Sequence, residues 1–289
     1  MTEELNKKVA ASIKLLQAIQ KAHAGEQIEL AYSGGKDSDI ILQLAKEAGI
    51  NYRAIYKNTT IDPHGTIAHV KAMGVEIWQP KKSFFELVAE KGMPNRFARF
   101  CCSELKEYKI LDTCIMGVRK AESVKRAKRY TEPTECRIYS KKEHVENVYP
   151  ILDWSNDDVR EFIIDRKLQL APVYYDADGS LHTERRLGCV GCPLINKTTR
   201  LAQLKEYPTM VKAFARAMTK FKASHPTSIE WIKYDHRDVY ESLVHHFFFP
   251  ERYADYLHAV SGGFFGEGAR VNCKQFLEEY FSINLSSEE

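Results

Sequence analysis

The residues best suited to chemistry in this sequence form two groups. One is the loop Ser33-Gly34-Gly35-Lys36-Asp37-Ser38, and the other is a set of two cysteine pairs, Cys101-Cys102 and Cys189-Val190-Gly191-Cys192. Paired glycines let a backbone take positive φ and approach a ligand closely, and the N–H groups that open a helix favour an anion. Lys36 adds a mobile positive charge, Ser33 and Ser38 add hydroxyls, and Asp37 is a candidate either to hold Mg²⁺ or to cap the helix. Capture of a phosphate chain is the chemistry expected of such a loop. The plainer alternative is a glycine turn capped by Asp37 and Ser38. In the second group, the two-residue gap between Cys189 and Cys192 lets one short loop turn both thiolates toward one metal, with Gly188 and Gly191 giving it freedom. The adjacent pair Cys101-Cys102 would complete four sulfur ligands, although neighbouring side chains usually point apart. Such a set suits one metal centre, since tetrahedral four-thiolate sites suit structural zinc, and uncomplexed or catalytic thiols are the remaining alternative.

The elements that must position these residues follow from periodicity. Ile28, Leu30 and Tyr32 form an apolar, β-prone run before the glycines, and the apolar residues of Asp39–Ala45 recur at helical spacing after them. The order is strand, tight loop, helix. The four-residue gap of the Walker A pattern is missing. The loop resembles the pyrophosphate-binding Ser-Gly-Gly-x-Asp-Ser loop of the adenine nucleotide α-hydrolase superfamily. That superfamily includes N-type ATP pyrophosphatases, tRNA sulfur-transfer enzymes and adenylyl-sulfate reductases.

The rest of the chain alternates strands and helices. A helix over residues 4–23 places Leu5, Val9, Ile13, Leu16 and Ile19 on one face. A second strand, Tyr52–Tyr56, runs into Asn58–Pro63, where Thr59, Thr60 and Asp62 either meet the ribose or base of a nucleotide or cap a helix starting near Pro63. A helix over 64–73, a strand at Val75–Trp78, a helix over Ser83–Lys91 and a helix over 104–110 are expected next. Leu111–Met116 reads as a buried strand that ends in Gly117-Val118-Arg119. Together these predict a doubly wound, mostly parallel α/β sheet. The polar stretch 130–147 reads as an excursion or hairpin over the site, and Ser155 as the N-cap of a helix over 156–166. Beyond residue 200 the chain is helical and aromatic, and its rings either pack a core or stack on bases. The division expected is a nucleotide-binding domain over 1–198 with the four-cysteine site, and a helical subdomain over 199–289 that ends in a polar tail at Ser286–Glu289.

Further motifs extend the resemblance from about residue 28 to about residue 195. Gly117, Arg119, Glu122, Ser123 and Arg126 resemble the Gly-x-Arg-x-x-Glu/Asp-Ser-x-x-Arg segment of adenylyl-sulfate reductases, in which the arginines lie near the nucleotide phosphates. Arg99, Cys101, Cys102 and Lys106 resemble their Arg-x-Cys-Cys-x-x-x-Lys pattern, with charges available to sulfate or phosphate. Pro150, Ile151, Trp154, Asp158 and Val159 resemble their Pro-Ile-x-x-Trp-x-x-x-Asp-Val pattern. The Cys-Cys plus Cys-x-x-Cys set is similar to the one that binds a [4Fe-4S] cluster in the iron-sulfur type of these enzymes. One departure matters. The reductases carry a nucleophilic cysteine in a Glu-Cys-Gly-Leu-His motif, whereas the last cysteine here, Cys273, sits in Val271-Asn272-Cys273-Lys274-Gln275-Phe276.

The resemblance therefore implies an adenine-nucleotide-dependent enzyme of sulfur metabolism in the phosphoadenylyl-sulfate reductase-like family. The form expected is an ATP pyrophosphatase that activates a substrate for sulfur transfer, of the DNA phosphorothioation or tRNA thiolation type. The alternatives are a reductase of adenylyl sulfate or phosphoadenylyl sulfate that releases sulfite, and a non-catalytic scaffold. Lys36, Asp37 and Arg119 are the catalytic candidates. Ser33, Gly34, Gly35, Ser38, Thr59, Thr60, Arg99, Lys106, Gly117 and Arg126 are added for nucleotide binding, and Cys101, Cys102, Cys189 and Cys192 for the metal. Implied partners are ATP or adenylyl sulfate with Mg²⁺, a sulfur donor such as a cysteine desulfurase, and nucleic acid; a homo-oligomer is compatible.

Composition sets outer bounds. The 289 residues are 44% hydrophobic and 28% charged, ordinary values for a globular chain, and no apolar run approaches the roughly 20 residues of a membrane span. The first residues lack the apolar core of a signal peptide, so a cytoplasmic location is expected. Seven cysteines in a reducing compartment are better read as ligands or thiols than as disulfides. A net charge of +3 does not by itself argue for nucleic acid, but Arg119–Arg129 holds six basic residues against one acid, either a solvated face or a phosphate contact.

Overall fold

The computed structural model describes residues 1–108, 110–140, 143–250, 252–261 and 271–285. The tail at 286–289 lies outside them. In chain order the elements are α1 (Glu3–Ala22), β1 (Ile28–Tyr32), α2 (Lys36–Ala48), β2 (Tyr52–Lys57), α3 (Thr66–Ala72), β3 (Glu76–Trp78), α4 (Phe84–Lys91), α5 (Phe100–Leu105) and β4 (Thr113–Met116). They continue as α6 (Val124–Arg129), β5 (Thr134–Ser140), β6 (Glu143–Val148), α7 (Asn156–Asp165), α8 (Lys197–Glu206), α9 (Pro208–Ser224), α10 (Ile229–Ile232), α11 (Val239–Phe248), α12 (Tyr253–Val260) and α13 (Cys273–Phe281). Two compact units result, each assembled from separate stretches. The first takes Met1–Asn58, Asp62–Pro80 and Lys106–Gly188; the second takes Thr59–Ile61, Lys81–Leu105 and the chain from Cys189 onward. A boundary between 198 and 199 is a proposal about order along the chain, whereas these units are defined by packing.

The first unit is a doubly wound α/β fold. Its six strands lie in the order β3-β2-β1-β4-β6-β5, with every pairing parallel except β5 with β6. The chain winds from β1 outward to β3 and then returns to β4 on the other side of β1. The strand order therefore reverses between β1 and β4, and the crevice at their carboxyl ends is where open α/β sheets bind ligands. Ile28 and Leu30 of β1, and Ile40, Ile41 and Leu44 of α2, are fully buried, each such side chain contributing about 1.5–3 kcal/mol. This anchors both ends of the glycine loop. In α1, Thr2 is the N-cap, Ile13 packs partly buried against the core, and the neighbouring Ser12 is buried, its Oγ donating to Pro150 O at 2.6 Å. The polar stretch after residue 130 is the β5–β6 hairpin.

One expected helix is displaced. Of the span 104–110, Glu104 and Leu105 end α5 (Phe100–Leu105), Lys106, Glu107, Tyr108 and Ile110 lie outside any helix, and residue 109 lies outside the described residues. The cause is tertiary. Glu29, fully buried on β1, accepts the Ile110 N–H at 2.7 Å and the Leu111 N–H at 3.3 Å while pairing with Lys57 Nζ at 2.8 Å. A buried carboxylate demands such donors, and it takes the backbone N–H groups that a helix would have used.

The second unit is helical. Ser83 and Glu86 form a capping box at the start of α4. Phe84, Leu204, Phe214, Met218, Leu243, Phe247 and Leu277 make its core, with Phe214 edge-on to Phe84 at 5.6 Å and to Phe247 at 5.3 Å. Core packing thus accounts for most of the aromatic residues after 200. No helix among the described residues is long and apolar enough to cross a membrane.

Candidate functional site

The glycine loop lies at the strand-order reversal of the first unit. Gly34 has φ +76°, and a Cβ there would come within 3.1 Å of Thr66 Cγ2. Gly117, the first residue after β4, is pressed against the start of α2; a Cβ would meet the Asp37 carbonyl oxygen at 2.9 Å. Both positions therefore require glycine. Between them lies a cavity of ≈240 Å³, lined by Ser33, Gly35, Lys36, Asp37, Ser38 and Gly117 from the two loops, and by Glu122, Arg126, Tyr174, Arg186 and Leu187 from further along the chain.

Lys36 is 5% exposed, and its Nζ donates to Arg185 O at 3.3 Å. Burial lowers its pKa from the usual lysine value, with the Asp37 carboxylate opposing and the Arg119 charge adding to the drop. Its backbone N–H is not left open, contrary to expectation: it donates to the Tyr174 hydroxyl at 3.1 Å, which also accepts the Leu187 N–H at 3.4 Å. Burial pushes the Tyr174 phenol up to about 12, partly offset by those two N–H donors. A buried N–H is expensive to leave unmatched, and the phenol oxygen supplies its acceptor.

Asp37 does not cap the helix, and one of its carboxylate oxygens is committed to an arginine. Gly35 is the N-cap of α2 and makes no side-chain cap bond. Asp37 Oδ1 instead receives Arg119 Nε at 2.7 Å. The Arg119 side chain, 2% exposed, also donates from Nη1 to Asn156 Oδ1 at 3.1 Å and to Trp154 O at 3.4 Å. It is absent from the cavity wall. The structure thus separates the two arginines of one motif: Arg126, whose side chain is 40% exposed, lines the cavity and pairs with Glu122. Arg186 Nη2 donates to Glu122 O at 2.7 Å.

Under the loop lies a polar network. The Tyr32 hydroxyl donates to Asp39 Oδ1, and His69 Nε2 lies 3.0 Å from both that carboxylate oxygen and the hydroxyl. All three side chains are buried. Burial raises the Asp39 pKa, with the His69 hydrogen bond opposing.

The remaining candidates lie elsewhere. Lys106 is on the first unit, with Nζ 4.0 Å from Asp62 Oδ1 and outside the cavity wall. Thr59, Thr60 and Arg99 belong to the second unit. Thr60 Oγ1 accepts the Phe84 N–H at 2.9 Å, next to the Ser83 N-cap of α4. Thr59 is buried, and its Oγ1 lies 3.6 Å from Cys189 Sγ. Tyr174, Arg186 and Leu187 are cavity residues that sequence reasoning missed; only the Arg185-Arg186 pair offered a signal.

All four candidate metal ligands belong to the second unit, and none of the seven cysteines forms a disulfide. Hydrogen bonding to Cys102 raises the Cys101 pKa most, followed by burial and by the charges of Cys102, Cys189 and Cys192, so the four sulfurs lie within electrostatic reach of one another. Among the described residues, however, no group of three or more His, Cys, Asp or Glu side chains is arranged to hold a metal ion. The donors are chemically right for a thiolate-bound metal, but their arrangement is not that of a closed site. Cys273, at the start of α13, is 4% exposed in the apolar core.

Comparison with known proteins gives several likenesses, among them the following. A solved U34-tRNA thiolase, NcsA from Methanococcus maripaludis with its [4Fe-4S] cluster, is 15% identical with a TM-score of 0.39, over 75% of this chain and 77% of that one. NMN synthetase from Francisella tularensis is 12% identical with a TM-score of 0.37, over 57% of this chain and 71% of that one. Likenesses this distant carry nothing about activity. The uncharacterized protein MJ0973 of Methanocaldococcus jannaschii is 29% identical over 233 residues, 76% of this chain and 54% of that protein, so the chain spans about half the length of the curated relative it matches. Residues 27–195 match the phosphoadenosine phosphosulfate reductase domain, a span that runs from β1 through the second cysteine pair, and the chain belongs to that family.

Proposed function

We propose that this chain is an adenine-nucleotide-dependent enzyme of sulfur metabolism, and specifically an ATP pyrophosphatase that activates an acceptor for sulfur transfer. The observation that carries the reading is the cavity at the strand-order reversal, where the glycine loop, Lys36, Arg126 and Arg186 converge. Family membership supports an adenine nucleotide as its occupant.

In this reaction an acceptor oxygen attacks the α-phosphorus of ATP, the bond to the bridging oxygen breaks, and pyrophosphate leaves with the electron pair. A sulfur nucleophile from a donor such as a cysteine desulfurase then displaces AMP. The protein's contribution is positioning and charge stabilisation. Ser33, Gly34, Gly35, Lys36 and Ser38 would hold the departing pyrophosphate, and Arg126 and Arg186 would neutralise its oxygens. Arg119 would act indirectly by fixing Asp37 and hence the first turn of α2. Mg²⁺ would enter with the nucleotide, its phosphates supplying most ligands. Asp37 is held by Arg119, so no step is assigned to it. Cys101, Cys102, Cys189 and Cys192 would hold a [4Fe-4S] cluster, with zinc as the alternative; the cluster would carry sulfur or stabilise the fold.

The reductase reading is disfavoured by Cys273. A thiol 4% exposed in an apolar core presents no nucleophile to a bulky adenylyl sulfate. Anaerobic protein given ATP, adenylyl sulfate and phosphoadenylyl sulfate in turn should release pyrophosphate from ATP and no sulfite from the others. Lys36→Ala should lower kcat/KM for pyrophosphate release by about 100-fold or more with an unchanged circular dichroism spectrum. Sulfite release with a thiol reductant, or wild-type turnover in Lys36→Ala, would overturn the assignment.

A further inference from the structure

The second unit carries two adjoining cavities of ≈450 and ≈410 Å³ that share Arg96, Arg200 and Pro250. Rings wall the first, among them Phe97, Phe214, Tyr234, His245 and Tyr253. The second adds Lys197 and Arg252, and its one carboxylate among the described residues, Asp255, lies 3.1 Å from Arg252 Nε. Arg200, on both walls, is 2% exposed and donates from Nη2 to Phe247 O at 2.7 Å, so the shared wall holds a built-in guanidinium rather than a surface cation.

At the rim stands Phe97, 99% exposed. The fold holds it there: Asn95 Oδ1 accepts the N–H groups of both Phe97 and Ala98 at 2.8 Å, making a turn that points the ring outward. A phenyl ring worth about 1.5–3 kcal/mol if buried is thus kept in water between Arg96 and Arg99. Arg96 is steadied by donating from Nε to Pro193 O at 3.3 Å.

We propose that this surface binds a single-stranded nucleic acid, with backbone phosphates on Arg96 and Lys197 and an unstacked base against Phe97 and the ring-lined cavity. An acidic peptide would use the cations and leave the rings idle, whereas an uncharged apolar ligand would do the reverse. A nucleotide chain uses both, and only a strand with splayed bases can place one in a cavity. Gly191 and Pro193, which flank Cys192, line the first cavity, so a bound strand would lie beside the second cysteine pair. The inference rests on the sulfur-transfer reading and deepens it by naming the acceptor.

The test is fluorescence anisotropy of the full chain, without ATP, using labelled single-stranded RNA, single-stranded DNA and duplex DNA of about ten nucleotides. Both single strands, or one of them, should bind more tightly than the duplex; RNA over DNA or the reverse identifies the acceptor. Phe97→Ala, which removes a side chain that packs nothing in the core, should weaken binding by about 5- to 100-fold. Arg96→Ala should reduce the slope of log affinity against log salt by about 0.7. Duplex binding as tight as single-strand binding, no single-strand binding at low salt, or unchanged affinity in Phe97→Ala would overturn the proposal. With ATP omitted, failure here is separate from failure of the pyrophosphate assay.

Discussion

Replacing Arg119 with methionine should unfold the first unit more easily before it touches the chemistry. The side chain is 2% exposed and makes three polar contacts, to Asp37 at 2.7 Å, Asn156 at 3.1 Å and the Trp154 carbonyl at 3.4 Å. Removing one partner of a buried pair costs about 3–5 kcal/mol because the other charge is left unmatched. Asp37 is itself 18% exposed, and Lys36 Nζ lies 3.7 Å from its other oxygen, so part of that cost is recovered by water and by the lysine. About 3 kcal/mol is therefore expected, or a fall in Tm of roughly 6–12 °C for a unit of this size. Urea unfolding followed by circular dichroism and by tryptophan fluorescence measures it. Asp37→Asn alone should also destabilise, while the double variant should cost less than the sum of the two, with a coupling of about 1–3 kcal/mol. A strictly additive cycle, or a stability loss under about 0.5 kcal/mol with a large rise in nucleotide KM, would show that Arg119 serves the phosphates directly and refute its role as an internal strut.

Three further outcomes follow from the two sites. Tyr174→Phe removes the acceptor of the Lys36 and Leu187 N–H groups and should cost about 1–2 kcal/mol without ligand. Pyrophosphate can then take the Lys36 N–H, so its stabilising shift in Tm should be larger in the variant than in the parent; an equal shift counts against the phenol as stand-in. Because burial lowers the Lys36 pKa, its ammonium is lost as pH rises through a value below the usual 10.5, and nucleotide affinity should fall there. Calorimetric titration at increasing pH reads this, and Lys36→Arg, which stays charged, should flatten the decline. Cys189→Ser should reduce iron bound after anaerobic reconstitution by about 10-fold or more; unchanged iron per chain would remove Cys189 from the ligand set.

The nucleotide loop was legible because everything that makes it lies within a dozen residues: an apolar strand, paired glycines and a helical repeat. Strands β1 to β4 were legible for the same reason, whereas β5 and β6 lie in the polar stretch read only as an excursion or hairpin, and β6 joins the sheet beside β4. What the sequence hid are contacts over long separations. The chain after Leu105 leaves the helix because Glu29, far upstream, takes the N–H groups of Ile110 and Leu111. Thr60, at a positive φ of 64°, accepts the Phe84 N–H at the first residue of α4, a contact that spans more than twenty residues. Tyr174 reaches the loop from beyond β6 with no local signal, and nothing in the spacing of Tyr32, Asp39 and His69 announces their buried network.

The two arginines of the β4 loop show what separates a motif from a mechanism. Seven residues apart, Arg119 and Arg126 carry the same charge and the same capacity for bidentate phosphate contacts, so sequence alone treats them as equivalent. Burial distinguishes them. A guanidinium 2% exposed, with its donors committed to a carboxylate, an amide oxygen and a carbonyl, cannot turn to a ligand without leaving three acceptors unmatched. One that is 40% exposed and held by a single carboxylate, Glu122, can exchange that partner for a phosphate at little cost, since a charge-assisted bond is broken and another made. The cavity is therefore lined by cations already matched to Asp37 and Glu122 rather than by bare positive charge. Under the proposed function, nucleotide affinity would be the difference between two sets of ion pairs, with the exchangeable arginine, Arg126, setting most of that difference and the fixed one, Arg119, the geometry in which it is made.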